Sequence, residues 1–174
     1  MILYKVFREN NLAKQASNDS THEILLRDLI EDDLPIFYEQ QLDPDAIQMA
    51  AFPARDEEAF FGHWKKSMSN PTVLLKTALF DGHVAGYVVS WDQSGKPEFG
   101  YWVGKEYWGK GVATQALTLF LGYVKSRPLF AHVAKHNIAS RRVLEKCGFN
   151  ISRDDEVSDE GGKIIEEYIM TLED

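Results

Sequence analysis

The stretch Tyr107-Trp108-Gly109-Lys110-Gly111-Val112-Ala113-Thr114 sets two glycines and an alanine within five positions, directly before an apolar run at helical spacing. Ala113, Ala116, Leu117, Phe120, Leu121 and Val124 share one helix face. The aromatic and β-branched run Phe99 to Val103 before it reads as a strand. A helix start offers unpaired N–H groups and a partial positive charge, and small residues there let a ligand approach the backbone. The predicted chemistry is anion binding, with phosphate or pyrophosphate as the guest. Glu98, on the strand entering the loop and next to Phe99, is the candidate base; the alternative is a solvated strand-edge charge beside Lys96. Cys147, the single cysteine, lies beside Val143 and Leu144 with no histidine spaced to activate it, so it reads as a buried structural thiol. His132 and His136 are four apart, but on a strand end and a loop, and no Cys or His cluster suggests a metal.

Three phosphate-binding patterns compete for the glycine turn. A P-loop would need a hydroxyl after Lys110, where Gly111 stands. A dinucleotide turn would need a third glycine where Thr114 stands, and an acidic residue about 20 positions on, within Lys125 to Lys135. The third pattern fits. Trp108 to Ala113 resembles the pyrophosphate loop of the GNAT family of N-acetyltransferases, Q/R-x-x-G-x-G/A. Asn137-Ile138-Ala139-Ser140 and the helix after it, ending in Gly148-Phe149, resemble that family's second coenzyme A segment, at its usual distance. The resemblance covers most of Thr21 to Leu172. Tyr107-Trp108-Gly109-Lys110-Gly111 and Glu145 to Phe149 are most similar to the branch of ribosomal-protein N-terminal acetyltransferases (RimJ/RimL-like).

The resemblance implies an enzyme that moves acetyl from acetyl-CoA to a primary amine by direct transfer in a ternary complex, with no metal. The implied acceptor is a protein N-terminus; a small-molecule amine (amino acid, polyamine or antibiotic) and a non-catalytic acyl-CoA sensor are the alternatives. It implies cofactor contacts from Trp102, Val103, Trp108, Gly109, Lys110, Gly111, Val112, Ala113, Thr114, Asn137 and Ser140. Among them, Trp102 and Val103 pair with the pantetheine amides, and Lys110 adds a charge contact to phosphate. Glu98 and Ser140 are the implied catalytic pair. Asn137 reads equally as an N-cap. Many relatives carry a thiolate-protonating tyrosine where this chain has Leu144, which leaves Ser140, Tyr101 or water for that step, or an unassisted departure of the thiolate. Met49, Phe52 and Phe60 with Asp43, Asp45 or Glu57 are candidates for the acceptor pocket, or for core and surface.

The elements that must position these groups follow from periodicity. Strands are predicted at 21–29, 73–80, 84–91, 98–103, 129–134, 149–157 and 163–172, with a hairpin across Asp81-Gly82. Helices are predicted at 32–41, 46–51, 56–68, 111–124 and 137–146, with Ala59, Phe60, His63, Trp64 and Ser67 sharing the third helix's face. The fold class is mixed α/β (α+β). As the resemblance implies, it is a mostly antiparallel sheet of about seven strands flanked by helices and splayed between two central strands. Residues 1–20 read as an N-terminal extension with a short strand at 1–7, and 21–174 as the acetyltransferase domain.

A chain of 174 residues fits one domain, and 44% hydrophobic content supports a core. A formal charge of -8 disfavours nucleic-acid and membrane partners and suits a cationic amine. One cysteine allows no intrachain disulfide, which fits the cytoplasm, and no run approaches the ~18 apolar residues of a membrane span. A monomer or a homodimer is expected.

Overall fold

A computed structural model describes residues 22–158 and 162–174. The expected extension at 1–20, its strand at 1–7 and part of the 158–162 turn lie outside the described residues. Seven strands form one sheet in the order β1-β2-β3-β4-β5-β7-β6. They are β1 (Ile24–Asp28), β2 (Leu74–Phe80), β3 (His83–Gln93), β4 (Lys96–Val103), β5 (Leu129–Ala134), β6 (Asn150–Ser158) and β7 (Ile164–Leu172). All neighbours are antiparallel except β4 and β5, which run parallel.

The β4–β5 junction is where the sheet opens. Their register holds a single partner pair, Glu98 with Phe130. Beyond it the strands diverge toward Val103 and Ala134. Tight hairpins build the half-sheet before the junction. Asp81-Gly82 and Ser94-Gly95 all have positive φ, the conformation two-residue turns need to match strand twist.

Five α-helices are present among the described residues: α1 (Leu34–Gln41), α2 (Pro44–Ala50), α3 (Glu57–Met68), α4 (Val112–Leu121) and α5 (Ile138–Lys146). Ala116, Leu117 and Phe120 of α4 and Leu144 of α5 close one sheet face over Val88, Phe99, Leu129, Ala131, Val133 and Met170. Leu34 and Phe37 of α1 and Phe60 and Trp64 of α3 close the other over Leu75 and Tyr87. Buried Asp33 accepts from Arg27 at 2.6 and 2.5 Å, Thr77 at 2.6 Å and Ile30 N at 3.1 Å. Burial pushes its carboxyl up, but those donors outweigh burial and hold it below the ordinary value. The cluster fixes the turn that starts α1.

Three expectations need adjustment. The expected second helix, 46–51, begins earlier, at Pro44 within the gap after 32–41. The Asp43 side chain accepts from the N–H groups of Asp45 and Ala46, and Pro44 takes the first helical position. On α3 the buried face is Phe60 and Trp64, packed with Phe61 and Met68, while Ala59 and His63 stay exposed. The α4 helix stops at Leu121, because the Gly122 and Tyr123 N–H groups bond three residues back in a tightened turn. Val124 nevertheless stays buried, as its place on the apolar face predicted.

Candidate active site

A cavity of about 560 Å³ lies where β4 and β5 part, within the range of small-molecule sites. Trp102 and Val103 line it from β4, and Trp108, Gly109, Gly111, Val112, Ala113 and Thr114 line it from the glycine turn and α4. Asn137 and Ser140 line it from the start of α5, and Ala46 and Met49 from α2. Ten of the eleven residues expected at the cofactor thus share one space. Lys110 is the exception: its ammonium lies over the rings of Phe80 and Tyr107, at 5.4 and 5.6 Å, and the residue is not part of the lining.

The turn is shaped by backbone conformation. Gly109 and Gly111 have φ of 74° and 78°, the left-handed region that side chains disfavour. Gly111 caps α4 with no side chain to accept from the first-turn N–H groups of Val112, Ala113 and Thr114. Trp108 Nε1 donates to Val103 O at 2.8 Å, fastening the turn to the end of β4. The same cradle fits a pyrophosphate: free donors, a positive dipole end, no side chain in the way. Trp102 Nε1 is a buried donor in the cavity wall without a partner among the described residues, which a ligand acceptor would satisfy.

On the α4–α5 face, Tyr101 OH donates to Ser140 Oγ at 2.9 Å. Burial pushes the Tyr101 phenol up to about 12, against the Ser140 hydrogen bond, so it stays protonated at neutral pH. Asn137 is the N-cap of α5: its side-chain oxygen accepts from Ser140 N at 2.9 Å and sets that hydroxyl's position. Leu144 is fully buried in the core. Cys147 is half-buried, 3.7 Å from Thr118 Oγ1, and its thiol is pushed up by burial, which suits a structural role.

On the opposite face, Glu98 lies behind the cavity rather than in its lining. Its carboxylate is 3.7 Å from His132 Nε2, and His132 Nδ1 is 2.9 Å from Glu167 Oε2. Sequence reasoning gave His132 no role beyond excluding a metal and did not weigh Glu167. The signal available was a lone polar residue in the apolar strand 129–134. The two ring nitrogens face different carboxylates, and among the described residues no three such groups converge as metal ligands.

The expected acceptor wall is only partly present. Met49 lines the cavity. Phe60 is buried between α1 and α3, and Phe52 is exposed under the Arg55 guanidinium at 4.8 Å. Glu57 belongs to a separate shallow groove on α3. Asp43 and Asp45 both pair with Lys105, and His136 Nε2 meets Gln48 O at 2.8 Å. Together these contacts pin α2 across the cavity.

The sequence profile described as "Acetyltransferase (GNAT) domain" matches residues 23–150. A curated relative, "Putative ribosomal N-acetyltransferase YdaF" of Bacillus subtilis (strain 168), is 30% identical over 99 residues. That match takes in 53% of this chain and only about half, 54%, of the relative's length. Among solved structures, RimL, a ribosomal L7/L12 α-N-protein acetyltransferase in complex with coenzyme A, aligns with a TM-score of 0.73 at 15% identity over 86% of this chain and 93% of its own. Spermidine N-acetyltransferase from Vibrio cholerae, in complex with CoA and spermine, aligns with 0.72 at 17% identity over 86% and 95%. At these identities the structural likeness is one of fold.

Proposed function

We propose that this chain, which belongs to the acetyltransferase (GNAT) family, transfers acetyl from acetyl-CoA to a protein N-terminal amine in a direct ternary complex. The observation that carries the reading is the single cavity joining a glycine-capped helix start to Ser140 at the splay of β4 and β5. In this reading the N–H groups from Gly109 to Ala113 hold the pyrophosphate, and the exposed edges of Trp102 and Val103 hold the pantetheine arm. Asn137 has side-chain N–H donors left for the same arm, since only its oxygen is committed to Ser140.

Transfer needs a proton delivered to sulfur and protons removed from the amine. Ser140 delivers the first: Tyr101 donates to its oxygen, which leaves the serine's own hydrogen free to point at the leaving thiolate. The amine's proton leaves on the Glu98 side of the sheet, where the carboxylate also attracts the ammonium. The negative formal charge of the chain, -8, favours a cationic acceptor in general.

A second reading is a small-molecule amine such as a polyamine. The α2 helix, pinned over the cavity through Lys105 and His136, favours a covered pocket over an open peptide cleft. Calorimetric titration with acetyl-CoA, with ATP and NAD as controls, tests the common core. Binding of acetyl-CoA alone is expected, and absence of binding would remove the whole assignment. Turnover of spermine and of a peptide with a free N-terminus then separates the two acceptor classes: activity on spermine with none on peptides would replace the first by the second.

A further inference from the structure

His132 lies in the cavity wall on the side away from Ser140, and strand alternation fixes its place. On β4, Phe99 and Tyr101 face α4 and α5, so Glu98, Gly100 and Trp102 face the other way. On β5, Leu129, Ala131 and Val133 belong to the same α4–α5 core, so Phe130, His132 and Ala134 share the face of Glu98. The two strands are tied at Glu98 and Phe130. His132 therefore stands two residues into the splay, level with Gly100 and one step from Tyr101. The Tyr101–Ser140 pair and the imidazole flank the same point of the slot from opposite faces of the sheet.

The hydrogen bonding prepares one nitrogen. An ionised carboxylate only accepts, so Nδ1 donates to Glu167 at 2.9 Å, and the neutral ring keeps its lone pair on Nε2. Nε2 lies 3.7 Å from Glu98 Oε1, beyond hydrogen-bond reach, and is uncommitted. The side chains of Glu98 and Glu167 are 15% and 14% exposed against 37% for His132. Of the three groups, only His132 lines the cavity.

We propose that His132, aligned by Glu167, is the general base that takes a proton from the acceptor ammonium, while Glu98, behind the lining, is a positioning carboxylate that acts through the imidazole by balancing the imidazolium charge. The proposal rests on the transferase reading and specifies how its amine is activated. The ammonium gives one proton to Nε2, and its lone pair then forms the bond to the acetyl carbon as the carbon–sulfur bond breaks, the electron pair going to sulfur. Sulfur takes its proton from Ser140. The proton the nitrogen sheds on becoming an amide returns to the Ser140 oxygen and restores its hydroxyl, so the net release is the proton His132 passes to solvent.

The carboxyl groups that act on His132 are Glu98 on β4, Glu167 on β7 and Asp155 on β6, and Asp155 is in turn 3.8 Å from the Arg153 guanidinium. The Glu167 hydrogen bond raises its titration above the ordinary 6.5, burial opposes this, and the three charges add to the rise. Catalysis should therefore climb with pH through a midpoint above 6.5, as the base becomes neutral. Removing either glutamate's charge should move that midpoint down.

The test is the pH profile of kcat/KM for the wild type, His132→Gln, Glu167→Gln and Glu98→Gln, with acetyl-CoA and either spermine or a free-amine peptide. His132→Gln should lose about 100-fold in kcat and the rising limb, with acetyl-CoA affinity and melting temperature unchanged. Glu167→Gln and Glu98→Gln should keep the limb at a lower pH; the acceptor amine's own titration would stay put. The imidazole NMR signal absent from His132→Gln should titrate at the limb's midpoint. A His132→Gln profile within about twofold of wild type, loss of the limb in Glu98→Gln alone, or an imidazole midpoint away from the limb overturns the proposal and leaves the transferase reading intact. Bound acetyl-CoA with no amine turned over overturns both.

Discussion

Ser140 and Tyr101 show how a residue's task depends on its neighbour. A serine hydroxyl alone is a weak acid, but one that accepts a hydrogen bond from a buried phenol has its remaining proton directed outward. Replacing Ser140 by Ala is expected to lower kcat by about 100-fold, the usual scale of a lost proton donor, and to weaken acetyl-CoA binding by far less when read by calorimetry. Tyr101→Phe should cost less, because it removes the orienting partner and not the donor. A Ser140→Ala enzyme as fast as wild type would return the thiolate's proton to water. The sequence offered both residues and the leucine at 144, but not the 2.9 Å contact between two side chains 39 positions apart.

At the scale of elements, the glycine turn is the part most exposed to substitution. Gly111 has φ of 78°, and a Cβ there would meet only the Gln115 amide, at 3.7 Å. The obstacle to a side chain is thus backbone strain of about 1–2 kcal/mol and not a clash. Gly111→Ala is expected to fold, to lose about 1 kcal/mol in denaturant titration, and to raise the Kd for acetyl-CoA about tenfold as the first-turn N–H groups shift. Unaltered affinity would mean that the cradle does not hold the cofactor. This element was legible without coordinates, because glycine spacing and an apolar helical period are local signals. Asp43 and Pro44 follow the end of α1 and also open α2, a double role the residue types leave open, since the same types serve turns and caps. Of the residues sharing the α3 face only Phe60 and Trp64 are buried, because periodicity gives a stripe's direction and not its width.

At the scale of the molecule, the sheet is two antiparallel blocks, β1 to β4 and β5 to β7, tied at one register pair. A ligand that spans the gap joins the blocks and binds only the folded chain. Acetyl-CoA at 100 times its Kd should add about 2.7 kcal/mol of stability, which for a chain of this size is a rise of about 5–10 °C in Tm. Thermal melting read by circular dichroism checks this. A rise of that size with ATP in place of acetyl-CoA would point to a nucleotide site instead.

By itself the sequence determined the family, the order of strands and helices, and the glycine turn. Each depends on neighbours within about twenty residues, whose periodicity and φ preferences are written in the residue types. Only the tertiary structure decided which groups share the cavity. Lys110 turned away to the rings of Phe80 and Tyr107, Glu98 moved behind the lining, and His132 came forward between Glu98 and Glu167. Those arrangements follow from the parallel register of β4 with β5 and the antiparallel register of β5 with β7, which join residues 32 or more positions apart. Long-range pairing is set by the packing of both sheet faces at once, and no local pattern in the chain encodes it.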